Sequence, residues 1–346
     1  MITINLMQKL NFKYLAFLLI LIFFINYRDF LNVLKISFAE DLFSYYKYQN
    51  IIFFYVNGDV NFKDYIPVNT RFLGLFLQYL IYELVPCINM KSISFPQDYY
   101  CATYSLVFLN YIIKILLFAI VYIYLKLKIN FSENLVFLGI LVFVILLEHL
   151  EQNTMDRIAV FYLFLCLLFD EKKYFGNLLI LCSFLVNEKI ILILGIYYFI
   201  KYIILFKTKY KYCFISICFS LICYLSIIFI LINFYDFSFH PYYEGIKIKN
   251  LLSIFSFYDL SILSNFVFPM IICLSPYIIS LLQKNKFNLD FSYYEILIII
   301  SLLILSMGGG LKNLGRYFFH TLPIWLPLFT AQIYFLIFKI SNKKSE

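Results

Sequence analysis

Four groups of polar residues interrupt this otherwise apolar chain of 346 residues. The first begins at Glu40-Asp41 and continues through Asp59, Lys63, Asp64 and Arg71. A carboxylate at a membrane surface can deprotonate a hydroxyl or hold a metal ion. The same residues also suit a plain solvated loop. The second group is Glu148, His149, Glu151, Asp156 and Arg157. A histidine among carboxylates can ligate metal, but this spacing matches no strong ligand pattern. Asp156 opens an apolar run, where an Asp is also an ordinary helix-start residue.

The third group, Asn187-Glu188-Lys189, splits a long apolar stretch. Ionisable groups in such a setting are costly and mark a functional site by default. Mutual neutralisation of Glu188 and Lys189 is the structural alternative. The fourth runs from Met307 to Tyr317 and on to His320 and Pro323. Four of the chain's 10 glycines lie between Gly308 and Gly315. Glycine allows close backbone approach, and successive N–H groups can form an anion nest. Arg316 can grip a phosphate there by paired donors. A flexible turn is the alternative. No Gly-Lys-Ser/Thr follows the glycines, so this is not a P-loop.

The elements that must position these groups are membrane helices. The chain is 63% hydrophobic, whereas a soluble domain is about 45–50% apolar. A water-soluble interior cannot hold that much apolar side chain, so lipid must cover the excess. The net charge of +8 does not indicate nucleic acid, because the basic residues fall in short segments between apolar runs, where they set topology. Lys9 and Lys13 precede the first run, Leu15 to Ile25, and no small-residue cleavage site follows. That run reads as a retained span.

Phe (42) and Tyr (32) are abundant alongside Ile, Asn and Lys, as AT-rich codons would give. Against that bias, the four arginines Arg28, Arg71, Arg157 and Arg316 among 28 basic residues suggest a need for a planar, bidentate donor. Most of the eight cysteines lie inside apolar runs and act there as small apolar residues. Cys87 and Cys101 flank one segment, and spacing alone does not pair them.

Candidate spans are 10–27, 101–125, 134–148, 157–170, 212–234, 263–283, 293–307 and 317–339. The stretch 174–206 is too long for one span and reads as a helical hairpin with Asn187-Glu188-Lys189 at its tip. The expected fold is a single all-α polytopic membrane domain over 1–346, with about ten spans, or roughly 9–11. Six basic clusters then share one side: Lys9/Lys13, Lys126/Lys128, Lys172/Lys173, Lys207/Lys209/Lys211, Lys284/Lys286 and Lys339/Lys343/Lys344. The positive-inside rule makes that side cytoplasmic, with both termini on it. The apolar segment 71–86 would break this parity if it crossed alone, so a re-entrant or interfacial helix on the outer side is expected there. A crossing helix with a further span is the alternative.

The order of these features resembles the polytopic membrane glycosyltransferases of the GT-C fold and their relatives, which use polyprenyl-phosphate sugars. In that family an acidic residue follows the first helix, like Glu40 or Asp41. A basic residue opens an apolar helix, like Arg71 in NTRFLGLFLQYL. An Asp starts a mid-chain helix, like Asp156 in MDRIAVFYLFLCLLFDEKKYFG. A charged pair breaks a helical hairpin, like Glu188-Lys189 in LLILCSFLVNEKIILILGIYYF. An Arg-Tyr helix with a later Pro closes the series, like Arg316, Tyr317 and Pro323 in LGRYFFHTLPIWLPLFTA.

The resemblance implies transfer of a sugar from a polyprenyl-phosphate carrier to a glycan, lipid or protein acceptor on the outer face of a bacterial cytoplasmic membrane. It implies Asp41, with Glu40 second, as the group that orients or deprotonates the acceptor hydroxyl. Arg71, Lys189 and Arg316 would neutralise the departing phosphate, and Asp156, Glu188 and Tyr317 would support them. A divalent metal stays open, because the first loop carries no Asp-x-Asp pair. Membrane lipid is an expected partner and nucleic acid is not. A transporter or flippase, a polysaccharide polymerase for lipid-linked sugars, and a non-catalytic membrane protein are the competing classes. The base assignment predicts that Asp41→Asn and Glu40→Gln lose transfer from a labelled lipid-linked sugar; full activity in both would remove it.

Overall fold

The computed structural model describes residues 72–84, 97–150, 154–235 and 314–343, with the single residues Ile20, Ile271 and Ser275. Among these residues every regular element is a helix and no strand occurs. The expected spans at 10–27, 263–283 and 293–307 lie outside or almost wholly outside the described residues, as do Glu40, Asp41 and Arg71.

The helices follow the apolar runs. The elements are α1 (Phe72–Leu84), α2 (Gln97–Ile123), α3 (Glu133–Leu150), α4 (Thr154–Phe169), α5 (Lys173–Leu181), α6 (Glu188–Leu205), α7 (Thr208–Tyr235) and α8 (Leu314–Lys343). A π-helical turn, Tyr124–Lys128, extends α2, and a 3-10 turn, Cys182–Leu185, extends α5. The expected hairpin over 174–206 is therefore α5, the 3-10 turn and α6. Two described helices, over Phe108–Lys128 and Thr208–Phe234, are long and apolar enough to cross a membrane. The segment expected near 71–86 is a helix of 13 residues, about 20 Å long at 1.5 Å per residue.

The chain divides into two compact units, one of residues 1–60 and 74–119 and the other of 61–73 and 120–346. In the first, α1 buries Gly74, Leu75 and Gln78, and α2 buries Leu109, Ile113, Lys114, Leu117 and Phe118.

In the second unit α8 packs on α3 and α4, and the α5–α6 hairpin packs on α7. Phe164 of α4 sits edge-on to Tyr124 at 5.3 Å and to Phe143 of α3 at 6.2 Å. Trp325 of α8 is fully buried, and its indole N–H donates to Thr321 Oγ1 at 3.1 Å. Gly139 lies where α3 approaches α8. A Cβ there would lie 2.5 Å from Leu125 Cδ1 and 3.2 Å from Thr330 Oγ1, so a larger residue would require the Leu125 side chain to move and Thr330 to give slightly. Helix α8 contains Pro323 and Pro327. Each lacks the N–H that the carbonyl one turn earlier would accept.

The outward face of α7 is apolar, with Phe219, Ile222, Leu225, Phe229 and Phe234 exposed. Its polar side chains turn back on their own helix. Ser226 Oγ donates to the Ile222 carbonyl at 2.9 Å, and Asn233 Nδ2 to the Phe229 carbonyl at 2.8 Å.

Basic residues collect at one end of the second unit. Lys128 Nζ lies 2.8 Å from both Asp170 Oδ1 and Glu171 Oε1. Lys209 Nζ lies 3.7 Å and 3.6 Å from the same two oxygens. Lys126 pairs with Glu133 at 2.6 Å. Three of the six basic clusters read from the sequence thus share one end, as the alternation of helix directions requires.

The hydrogen bond and charge of Lys128, followed by Lys209, hold the Glu171 carboxyl below its ordinary value of 4.5. A lowered folded-state pKa contributes stability that is present above the unfolded value and is lost as pH falls through the folded one. Glu171→Gln should lower the melting temperature slightly at neutral pH, because Glu171 is 65% exposed and solvent screens such pairs. The gap from the unsubstituted protein should close as pH falls below 4.5, measured by thermal unfolding in detergent.

Candidate functional site

Three helix starts meet at the other end of the second unit. Helix α4 begins at Thr154 and carries Asp156 in its first turn. Helix α6 begins at Glu188, where Asn187 is the N-cap and its Oδ1 accepts the Lys189 N–H at 2.9 Å. This is why the chain breaks at the triplet: Asn187 satisfies a donor that no earlier carbonyl reaches. Helix α8 begins at Leu314 and carries His320 in its second turn. Contacts of α4 and α8 with α6, and of α8 with α4, bring these starts together.

Their side chains converge on one oxygen. Lys189 Nζ donates to Asp156 Oδ1 at 3.4 Å. His320 Nε2 lies 3.1 Å from the same atom. Asp156 is 1% exposed and His320 0%, and the Lys189 side chain is 10% exposed. Arg157, beside Asp156, is buried as well. Asn187 is also buried, and its amide Nδ2 has no hydrogen-bond partner among the described residues. The Lys189 N–H requires an acceptor, which fixes the orientation of that amide and leaves its NH2 as the unused group.

The electrostatics favour an anion. Asp156 and Glu188 balance Arg157 and Lys189 in formal charge. The starts of α4 and α6, within one turn of Asp156 and Lys189, add partial positive charge there. Backbone N–H groups at helix starts bind phosphate or carboxylate oxygens. A carboxylate held beside lysine and imidazole can also pass a proton.

Of the residues singled out in the sequence, Asp156 and Lys189 are brought into contact across 33 positions. Glu188 is half-buried in the first turn of α6. Arg316 and Tyr317 lie in the first turn of α8, one turn before His320, and their side chains are outside the described set. So are those of Glu148 and His149 in the last turn of α3, while Glu151 is not described at all. Glu40, Asp41 and Arg71 are likewise not described.

His320 received no role from the sequence. Its signal was its place four residues after Arg316, which puts both on one helical face, in a chain with only three histidines. Among the described residues no group of three or more His, Cys, Asp or Glu is arranged to hold a metal ion.

Removing one partner of a buried ion pair leaves a charge without compensation, at a cost of about 3–5 kcal/mol. Asp156→Asn should therefore destabilise the protein by that order in thermal or denaturant unfolding. Adding Lys189→Met to it should recover part of the loss, a coupling that separate sites would not show. Comparison with protein-family models, curated proteins and solved structures gives no match for this chain.

Proposed function

We propose that the protein is an integral membrane enzyme of GT-C type that transfers a sugar from a polyprenyl-phosphate carrier to an acceptor on the outer face. Membrane embedding is supported by the exposed apolar face of α7, whose polar groups are satisfied within the helix. In lipid such a face needs no partner, whereas in water a patch of that size would drive association. The basic end is then cytoplasmic.

The observation that carries the functional proposal is the convergence of Asp156, Lys189 and His320 at three helix starts. Glycosidic cleavage places growing negative charge on the departing lipid phosphate. Preformed donors and positive charge stabilise that charge most strongly where water is excluded. Lys189, Arg316 and the helix starts supply the positive field. Asp156 holds Lys189 in place, and the unused Asn187 amide offers a donor to a phosphate or sugar oxygen. Asp41 or Glu40 orients or deprotonates the acceptor.

Helix α6, of 18 residues, runs from the site to the basic end, about 27 Å at 1.5 Å per residue. A hydrocarbon core is about 30 Å thick, and a site near its outer boundary would be within reach of a lipid-linked phosphate.

A second proposal, a transporter, draws on the hairpin itself. Discontinuous helices whose starts face a substrate are a transporter feature, and α5 with its 3-10 turn is short and broken in this way. The two proposals separate experimentally. Purified protein should transfer label from a polyprenyl-phosphate sugar, and Lys189→Gln should lower the rate by about a hundredfold, the order expected on losing one transition-state donor. Absence of transfer, with counterflow of the same lipid-linked sugar across sealed vesicles, would establish the transporter instead.

A further inference from the structure

We infer that the basic end of the second unit holds a binding surface for anionic phospholipid headgroups, formed where α5 and α7 start. The surface is separate from the Asp156 site and rests only on membrane embedding, so it stands or falls apart from sugar transfer.

Four lysines form it: Lys172 and Lys173 at the start of α5, and Lys207 and Lys211 around the start of α7. All four are exposed. The two nearby acids are engaged elsewhere, since Asp170 and Glu171 pair with Lys128 and Lys209. No carboxylate among the described residues pairs with any of the four. The two helices that carry them are packed side by side. Lys173 Nζ sits 5.7 Å from the ring centroids of both Tyr174 and Tyr212, bridging α5 to α7. Cys213 Sγ approaches Asn177 Oδ1 at 3.6 Å, and Ser183 Oγ meets Ser220 Oγ at 2.8 Å further along the same seam. The i, i+4 spacing of Lys207 and Lys211 puts them on one face of the turn entering α7, at the head of the outward apolar face that holds Ile215, Phe219 and Ile222.

The surroundings fit a lipid. Tyr174 is 84% exposed and Phe206 78%. Phe206 caps α6 with φ 47°, in the left-handed region that a bulky residue rarely adopts. That conformation holds its ring outside the helix it ends. Exposed aromatics beside lysines mark the membrane–water boundary. Below them the surface becomes wholly apolar, through Phe175, Leu178, Ile215 and Phe219. Charge above and hydrocarbon below match a phosphodiester headgroup with acyl chains. An acidic protein would match only the charge.

The test uses the full chain in mixed micelles of equimolar phosphatidylglycerol and phosphatidylcholine, with retained lipid counted by native mass spectrometry. The unsubstituted protein should retain phosphatidylglycerol preferentially. The quadruple variant Lys172→Gln, Lys173→Gln, Lys207→Gln, Lys211→Gln should lose that preference by about tenfold or more, given the attraction of each basic residue to an anionic surface. The matching quadruple Arg variant should keep it. An unchanged melting temperature in neutral detergent separates lost lipid binding from misfolding; a variant that unfolds is replaced by the pair Lys207→Gln, Lys211→Gln. Equal retention of both lipids by the unsubstituted protein, or an undiminished preference in the Gln variants, would overturn the inference. So would loss of an acidic protein partner with lipid preference intact.

Discussion

A carboxylate excluded from water must be compensated, and Asp156 is compensated by Lys189 from another helix, with a third helix bringing the His320 ring beside it. Lys189 reaches it from α6 and His320 from α8. Transferring an ionised carboxylate to the interior costs several kcal/mol even after relaxation. The pair therefore has consequences beyond its own contact. It requires the hairpin tip, the start of α4 and the start of α8 to lie at one level, and the packing of α8 on α3 and α4 through Gly139 and Trp325 meets that requirement.

The same constraint separates charge along the unit. Helix α4 carries Asp156 near one end and is followed by Asp170 at the other. Asp156 faces the convergence of helix starts, and Asp170 faces Lys128 and Lys209. Between them lie some thirteen residues of apolar helix, roughly 20 Å, with Val160, Leu163, Phe164 and Leu167 buried. One end is built from lysines at exposed or partly exposed positions. The other is built from ionisable groups fixed by burial, the arrangement that suits chemistry rather than solvation.

Among the described residues the helical character was legible because apolar runs and their interruptions are explicit in the sequence. The hairpin break falls at Asn187-Glu188-Lys189 because an Asn there is a good N-cap and two ionisable groups cannot extend an apolar helix cheaply. The basic clusters around Lys128 and Lys209 share an end because successive short helices reverse direction.

Other features had no local signal. The 3-10 turn Cys182–Leu185 contains neither Pro nor Gly, and the π-helical turn Tyr124–Lys128 reads like the helix before it. The partner of Lys189 was not legible either. Adjacent Glu188 was the obvious choice, whereas the bond to Asp156 depends on how α4 packs against α6. His320 escaped for the same reason: its role follows from a tertiary approach that spacing does not encode.

On the proposed membrane topology the Asp156 cluster and the lysine cluster lie at opposite membrane faces. The direct measurement is labelling of single cysteines by a membrane-impermeant thiol reagent in sealed, oriented vesicles, on a background with all eight native cysteines replaced. Glu188→Cys should react from the outer side and Lys207→Cys only after the inner side is exposed. Reaction of both from the same side would contradict the topology and, with it, the placement of the site.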